Sequence, residues 1–335
     1  MNLPRLLAAS LLSTAVTLGT ALLPGAASAA PLKPLTVLTN HTFIGKYAPL
    51  FVGVAQGYYK AAGFDVKILP TAGSGVVIST VGSGQADYGV ADVSPVVQAI
   101  AKGARVKGAF VYMNKSAVAL ASLQPFPTLE SMRGKKIAAA QADSARVAFP
   151  VVLGRNHLAQ LPFKWVAADP NVYFSLLLSG QVDLISSSLD GDVPALEKIA
   201  SARGKKVYAF SFYDWGYDIY GLWLIGNDQK LQADPQAAAR FAQATRQAME
   251  YAIEHPDDAA RIMVQANPIL NLDTIETQWR ATVAAMGANP TQGGHYGLAS
   301  KPRLQSTIDI VGTALSLDTN RLKPADVFDA AMIEP

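Results

Sequence analysis

The side chains suited to a recognition task in this chain are carboxylates, hydroxyls and aromatic rings at the ends of apolar runs. Asp92, Asp143, Asp190 and Asp214 supply the carboxylates, Ser74, Ser94 and Ser144 the hydroxyls, and Asn40 and His41 an amide and an imidazole. Arg146 is a cation one turn into a helix, and Phe43, Trp215 and Tyr217 offer ring surfaces. Such a set holds a small molecule by hydrogen bonds and stacking. The spacings that would do chemistry on it are missing: there is no Gly-x-Ser-x-Gly elbow, Ser-x-x-Lys pair, His-Glu-x-x-His helix or EF-hand loop. The histidines, His41, His157, His255 and His295, are scattered and give no metal spacing. With no cysteine, disulfides, thiolate zinc sites, iron–sulfur clusters and cysteine nucleophiles are excluded. The expectation is a binder with no catalytic residue, metal or cofactor.

The elements that must position these groups alternate strand and helix. Leu35–Leu38 reads as a buried strand, and the loop from Thr39 to Gly45 after it presents Asn40, His41 and Phe43. Tyr47 to Gln56 is an apolar helix ended by Gly57, and Phe64–Ile68 alternates as a strand should. Gly73-Ser74-Gly75 turns the chain into a helix from Val76 to Val81, so that Gly73 and Ser74 offer a ligand backbone N–H groups at a helix N-terminus. A strand over Ala86–Ala91 emerges at Asp92; Ser94-Pro95 then reads as an N-cap with proline at the first helical position, and Val106–Tyr112 is the next strand. A loop-capping histidine, a plain glycine turn and a serine that only caps its helix account for His41, Gly73 and Ser94 equally well.

The pattern then restarts. Leu129–Met132 is a short helix, Lys136–Ala140 a strand, and Asp143-Ser144 caps a helix through Val152 that Pro150 should bend or shorten. Strands over Trp165–Ala167, Val182–Ser186 and Val207–Phe210 alternate with helices over Asn171–Leu178 and Pro194–Ala202. Ser83-Gly84-Gln85-Ala86-Asp87 is echoed by Ser179-Gly180-Gln181-Val182-Asp183, once per half, each between a helix and a strand that leads to an aspartate, Asp92 or Asp190. Chance recurrence of such turns explains one echo too, but its position favours two similarly wound lobes. A strand over Tyr220–Ile225 follows, then helices from Asp234-Pro235, near Asp257–Gln265 and over Leu272–Met286, a Gly-rich loop from Asn289 to Gly297, and a last helix near Ile308–Leu315. Arg146 has the charge to pair with an anion, although an exposed helix arginine is commoner. Asp214, Trp215 and Tyr217 lie where the chain should cross back, suited either to stacking a planar ring or to packing between lobes.

Arg5, an apolar run from Leu6 to Leu23, Pro24-Gly25 and Ala27-Ser28-Ala29 have the layout of a secretory signal cleaved after Ala29. Removing it takes the formal charge from +3 to +2, nothing that suggests nucleic acid. Half the residues are hydrophobic and 16% charged, as in a well-buried globular chain. Without a lipid-anchor cysteine, an exported receptor needs an outer membrane to retain it, hence the expectation of a periplasm.

The ordered motifs resemble a known family, the ABC-transporter substrate-binding proteins of the nitrate, sulfonate and taurine group, which includes binders of thiamine pyrimidine precursors. The matching pieces are Tyr47-Ala48-Pro49-Leu50, Gln56-Gly57-Tyr58-Tyr59, Gly63-Phe64-Asp65-Val66, Ser83 to Gly89, Leu129 to Lys136, Leu178 to Asp183, Tyr220-Gly221-Leu222 and Glu254 to Ala259. The resemblance implies an α/β fold of the two-lobed periplasmic-binding-protein type (type II), two doubly wound lobes with ligand in the cleft between them. Lobe I would take residues 31–113 and 215–335, and lobe II residues 114–214. It also implies a small-molecule solute, a membrane permease and its ATPase as partners, and a monomer that works by interlobe closure. Carboxylates beside aromatics favour a nitrogen-rich heteroaromatic; a sulfonate, taurine or nitrate-type anion is the alternative, with a secreted enzyme or a sensor domain behind both. A related yeast-type family makes thiamine pyrimidine on this fold with a cysteine-rich motif, which this cysteine-free chain lacks.

Overall fold

The computed structural model describes residues 31–286, 296–319 and 322–332. The signal-peptide reading, His295 and most of the Gly-rich loop therefore lie outside the described residues. Strand β1 (Lys33–Thr39) pairs in parallel with β2 (Phe64–Pro70), from Lys33 opposite Phe64 to Thr39 opposite Pro70. On its other edge lies β3 (Tyr88–Asp92), buried at every position as parallel strands covered on both faces are. β4 (Val106–Met113) completes the lobe's outgoing chain.

The second sheet contains β5 (Val118–Ser122), β6 (Lys136–Ala139), β7 (Lys164–Ala167), β8 (Leu184–Ser188) and β9 (Tyr208–Ser211). β10 (Leu222–Asn227) returns to the first. The orders are β2-β1-β3-β10-β4 and β7-β6-β8-β5-β9, the same winding twice. In each sheet the fourth strand is antiparallel to both neighbours and enters from the other lobe: β10 between β3 and β4, β5 between β8 and β9. The sequence echo has a physical basis. Asp87 and Asp183 each accept a hydrogen bond at 2.8 Å from a backbone N–H of the adjoining strand, Thr36 and Lys136 respectively, after a glycine with φ of +78° or +74°.

Several boundaries differ from the sequence reading. β5 has no counterpart in it, because Val-Ala-Leu-Ala-Ser carries neither alternation nor a run of branched residues, yet it is buried throughout. β8 and β10 each begin two residues later than expected. Ser94 is not an N-cap: Asp92 holds that place, the helix runs Val93–Ala101, and Ser94 lies inside its first turn. Pro150 does not end its helix, which spans Ala145–Arg155. The helix expected to be last, near Ile308–Leu315, is a turn and more longer, Lys301–Leu315, capped by the Ser300 hydroxyl accepting from Arg303 N–H, and a further helix, Pro324–Val327, follows it.

The long C-terminal helices cover the first sheet. Phe241, on Pro235–Glu254, stacks on Tyr88 at 4.3 Å and Tyr59 at 5.1 Å, and Trp279, on Leu272–Met286, donates its indole N–H to Ala252 at 2.8 Å. The helix Lys301–Leu315 instead lies against Ala145–Arg155 of the second sheet, so closely that a β-carbon on Gly154 would sit 3.2 Å from that of Ala314.

Candidate solute-binding cleft

The carboxyl ends of the strands from both sheets converge on one cavity of about 50 Å³, where open α/β sheets place their ligands. From the first lobe its wall takes Asn40 and His41 after β1, Ala72 and Gly73 after β2, and Asp92 at the end of β3; Lys46 comes from the turn Gly45–Tyr47. From the second lobe come Asp143 and Ser144 after β6, Tyr173, the run Ser186-Ser187-Ser188 ending β8, and Asp192.

Asp92 is the hub of a network joining the lobes. Its Oδ2 accepts from Asn40 Nδ2 at 2.6 Å, Ser74 Oγ at 3.0 Å and, across the cleft, Ser144 Oγ at 2.5 Å. Tyr47 donates to Asn40 Oδ1 at 2.7 Å and so fixes the amide's orientation. Burial pushes the Asp92 carboxyl above the usual carboxylate range, opposed by the Lys46 charge and the two serine hydroxyls. Asp143 is held as firmly: Oδ1 accepts from Ser186 Oγ at 2.8 Å and Ala145 N–H at 2.9 Å, and Oδ2 from Tyr173 Oη at 2.8 Å. The Tyr173 hydroxyl also accepts from Ala140 N–H at 2.6 Å. Burial and the neighbouring Asp143 push its pKa upward, so it stays a donor.

Backbone contacts flank the cavity. Gly75 N–H donates to Ala142 O at 3.0 Å, and a β-carbon on Gly73 would lie 2.3 Å from that oxygen. On another side Gln278 accepts from Gly45 N–H and donates to Gly191 O, both at 2.9 Å, while a β-carbon on Gly191 would lie 2.6 Å from Ile44 Cδ1. His41 Nε2 stands 3.9 Å from Asp192 Oδ1. Beyond the Gly75–Ala142 contact lies a larger, solvent-open groove of about 1010 Å³, lined by Ile78, Ala99, Gln141 and Val147 among others. Asp143 lines both spaces, and Arg146 lines the groove.

Among the anticipated contacts, Asn40, His41, Gly73, Asp92, Asp143 and Ser144 line the cavity, and Ser74 sits directly behind it in the Asp92 network. Others have different employment. The Arg146 guanidinium donates to Ala140 O at 2.7 Å and Ala139 O at 2.8 Å and lies over Trp165, which fixes the end of β6. Ser94 accepts from the buried Tyr217 hydroxyl at 2.6 Å. Phe43 packs edge-on against Phe51, and Trp215 stacks on Phe210. Asp214 is exposed, and Asp190 is buried two residues past β8, with Oδ2 accepting from Thr282 at 3.3 Å. Phe43, Trp215 and Tyr217 do not line the cavity, where the aromatic ring is that of Tyr173. Sequence reading missed Lys46, the three serines, Asp192 and Gln278. Lys46 had a signal: a lysine at the start of an apolar helix sits at the wrong end of the dipole and invites a reason. Among the described residues no three His, Asp or Glu side chains gather as a metal site.

Residues 44–259 match the family pattern described as NMT1/THI5 like. The chain belongs to the NMT1/THI5-like family. A relative from Saccharomyces cerevisiae, a 4-amino-5-hydroxymethyl-2-methylpyrimidine phosphate synthase, is 21% identical over 264 residues, 75% of this chain and 76% of that one. Among solved structures, the alkanesulfonate-binding protein SsuA from Xanthomonas axonopodis pv. citri, bound to MOPS, superposes with a TM-score of 0.66 at 15% identity, covering 91% of this chain and 99% of SsuA. The periplasmic nitrate-binding protein NrtA from Synechocystis superposes with a TM-score of 0.55 at 12% identity, over 72% and 69%. This NMT1/THI5-like chain has the two-lobed fold of periplasmic binding proteins.

Proposed function

We propose that this chain is the solute-binding component of an ABC importer, working in the periplasm as a monomer that delivers its cargo to a membrane permease and its ATPase. The cargo we favour is a small nitrogen-rich heterocycle such as an aminopyrimidine. The observation that carries this reading is the cleft itself: one cavity whose wall, with its polar side chains, is shared by both lobes, so a solute touching both favours closure. Three carboxylates, Asp92, Asp143 and Asp192, face one lysine there, an environment that suits N–H donors better than a simple anion such as nitrate. Recognition would rest on hydrogen bonds rather than on stacking against Trp215 or Phe43. The chain has no cysteine and so lacks the cysteine-rich motif expected of a yeast-type synthase, which supports binding over the synthase activity in the yeast relative's name.

The test is a thermal-shift screen of the chain starting at Ala30, with 4-amino-5-hydroxymethyl-2-methylpyrimidine, an alkanesulfonate and nitrate, followed by calorimetry. A ligand at a hundred times its dissociation constant adds about 2.7 kcal/mol of stability. Saturable stabilisation by the pyrimidine without turnover supports the reading. Conversion of the pyrimidine, or stabilisation by alkanesulfonate or nitrate alone, overturns it.

A further inference from the structure

Asp190 lies where the second lobe meets the first, two residues past β8, and is fully buried. Its chain neighbour shows what covers it. A β-carbon on Gly191 would lie 2.6 Å from Ile44 Cδ1 of the first lobe, and Gly191 O accepts from Gln278, on the first lobe's helix Leu272–Met286. Few donors reach the carboxylate: Oδ1 accepts from no protein group, and Oδ2 only from Thr282, on the same helix, at 3.3 Å. The Thr282 hydroxyl has one proton to give, and Gln278 O is its nearer acceptor at 2.9 Å. The Tyr47 hydroxyl, which burial and then the charges of Asp92, Asp190 and Asp192 push upward in pKa, gives its proton to Asn40 at 2.7 Å. Among the described residues no lysine, arginine or histidine pairs with Asp190. Asp92 and Asp143, by contrast, each accept three hydrogen bonds. A carboxylate taken out of water without donors of its own raises the free energy of the state that buries it. Parting the lobes withdraws Ile44, Gln278 and Thr282 from this face and returns the carboxylate to water, so the cost falls on the closed arrangement.

We propose that Asp190 is a positioning residue that opposes lobe closure, its under-donated carboxylate holding the solute-free receptor open so that closure waits for solute. The inference rests on the importer-receptor reading and adds to it a residue outside the cavity wall that sets apparent affinity. It does so through the fraction of closed protein, because the intrinsic dissociation constant is divided by that fraction. Removing the charge therefore tightens binding with no new contact to solute. Replacing a residue that merely packs the lobes together would weaken it.

The experiment compares wild type, Asp190→Asn, Asp190→Ala and Asp190→Glu by small-angle scattering without solute and by calorimetry with 4-amino-5-hydroxymethyl-2-methylpyrimidine. Near-ultraviolet circular dichroism checks each variant's fold, and two charge-free variants keep the test alive if one of them fails to fold. The expected result is a smaller solute-free radius of gyration in Asp190→Asn and Asp190→Ala than in wild type, with binding tighter by about tenfold. Asp190→Glu keeps the charge and should show neither gain. A solute-free radius of gyration in the charge-free variants equal to or larger than that of wild type overturns the proposal, as does weaker pyrimidine binding by them. If wild type binds the pyrimidine and contracts while the variants' solute-free scattering is unchanged, the receptor reading stands and the role of Asp190 falls. Contraction of the charge-free variants with no pyrimidine binding by any of the proteins keeps that role and removes the pyrimidine as cargo.

Discussion

Adding one methyl group at Gly73 tests whether the contact between the lobes is part of binding. The residue has φ of +127° and ψ of 158°, a conformation almost confined to glycine, and a β-carbon there would meet Ala142 O at 2.3 Å, its carbonyl carbon at 2.5 Å and Asp143 N at 2.9 Å. These are backbone atoms of the opposite lobe, so no rotamer change relieves them. To restore a carbon–oxygen separation of about 3.4 Å the lobes must part there by roughly 1 Å. The Gly75 N–H to Ala142 O bond, 3.0 Å long, is lost with that movement. Such a bond contributes about 0.5–1.5 kcal/mol net, and leaving its groups unsatisfied raises the cost to about 1–3 kcal/mol. Charged to the closed state alone, this weakens affinity by roughly 5- to 150-fold, since about 1.4 kcal/mol is tenfold. Gly73→Ala should therefore lose affinity for whichever solute stabilises the wild type, measured by calorimetry, and its small-angle scattering should keep a larger radius of gyration at saturation. The backbone strain is common to open and closed forms and should appear separately as a lower Tm without ligand. Wild-type affinity together with wild-type scattering in Gly73→Ala would refute the reasoning.

Gln278→Ala removes a side chain that holds Gly45 N–H and Gly191 O together, and should weaken solute binding by about tenfold, consistent with 1–3 kcal/mol for a buried unsatisfied group, read by calorimetry. Lys198 and Asp273 also pair across the lobes but are each 66% exposed, so Lys198→Ala should change affinity and Tm little in ordinary salt. For Asp92 the folded protein holds its proton more tightly than the unfolded chain, so the stabilisation is full below the ordinary value of 3.8 and fades as pH rises through the folded value. The urea stability of wild type relative to Asp92→Asn should accordingly rise as pH is lowered toward 4; a constant difference would contradict the burial argument. Trp215→Ala should lower stability while leaving solute affinity near wild type, because the ring stacks on Phe210 outside the cavity.

The strand–helix alternation and the doubling of the lobe were legible because buried parallel strands read as continuous apolar runs, and because the Ser-Gly-Gln-x-Asp turns perform the same backbone task at Asp87 and Asp183. β5 was not, since a small-residue strand covered on both faces has no period to detect. At the site, loops after strand ends identified Asn40, Asp92, Asp143 and Ser144 by position. The aromatic residues were ambiguous for another reason: a tryptophan or tyrosine near a crossover suits core and cleft equally on paper, and only packing separates Trp215 and Tyr217 from Tyr173, which lines the cavity. Lys46 and Gln278 lie in or on helices whose apolar surroundings advertise burial, which is where polar residues are easiest to pass over.

The fourth strand of each sheet carries a consequence for how the chain matures. Residues 118–211 supply every strand of the second sheet in one continuous stretch, whereas the first lacks its antiparallel fourth strand until Leu222–Asn227 arrives. An emerging chain would therefore complete its second lobe first, while β3 and β4 await the strand that separates them. A chaperone guarding against aggregation would have most to shield at β4, whose neighbour in the sheet is β10, and at the open edge of β3.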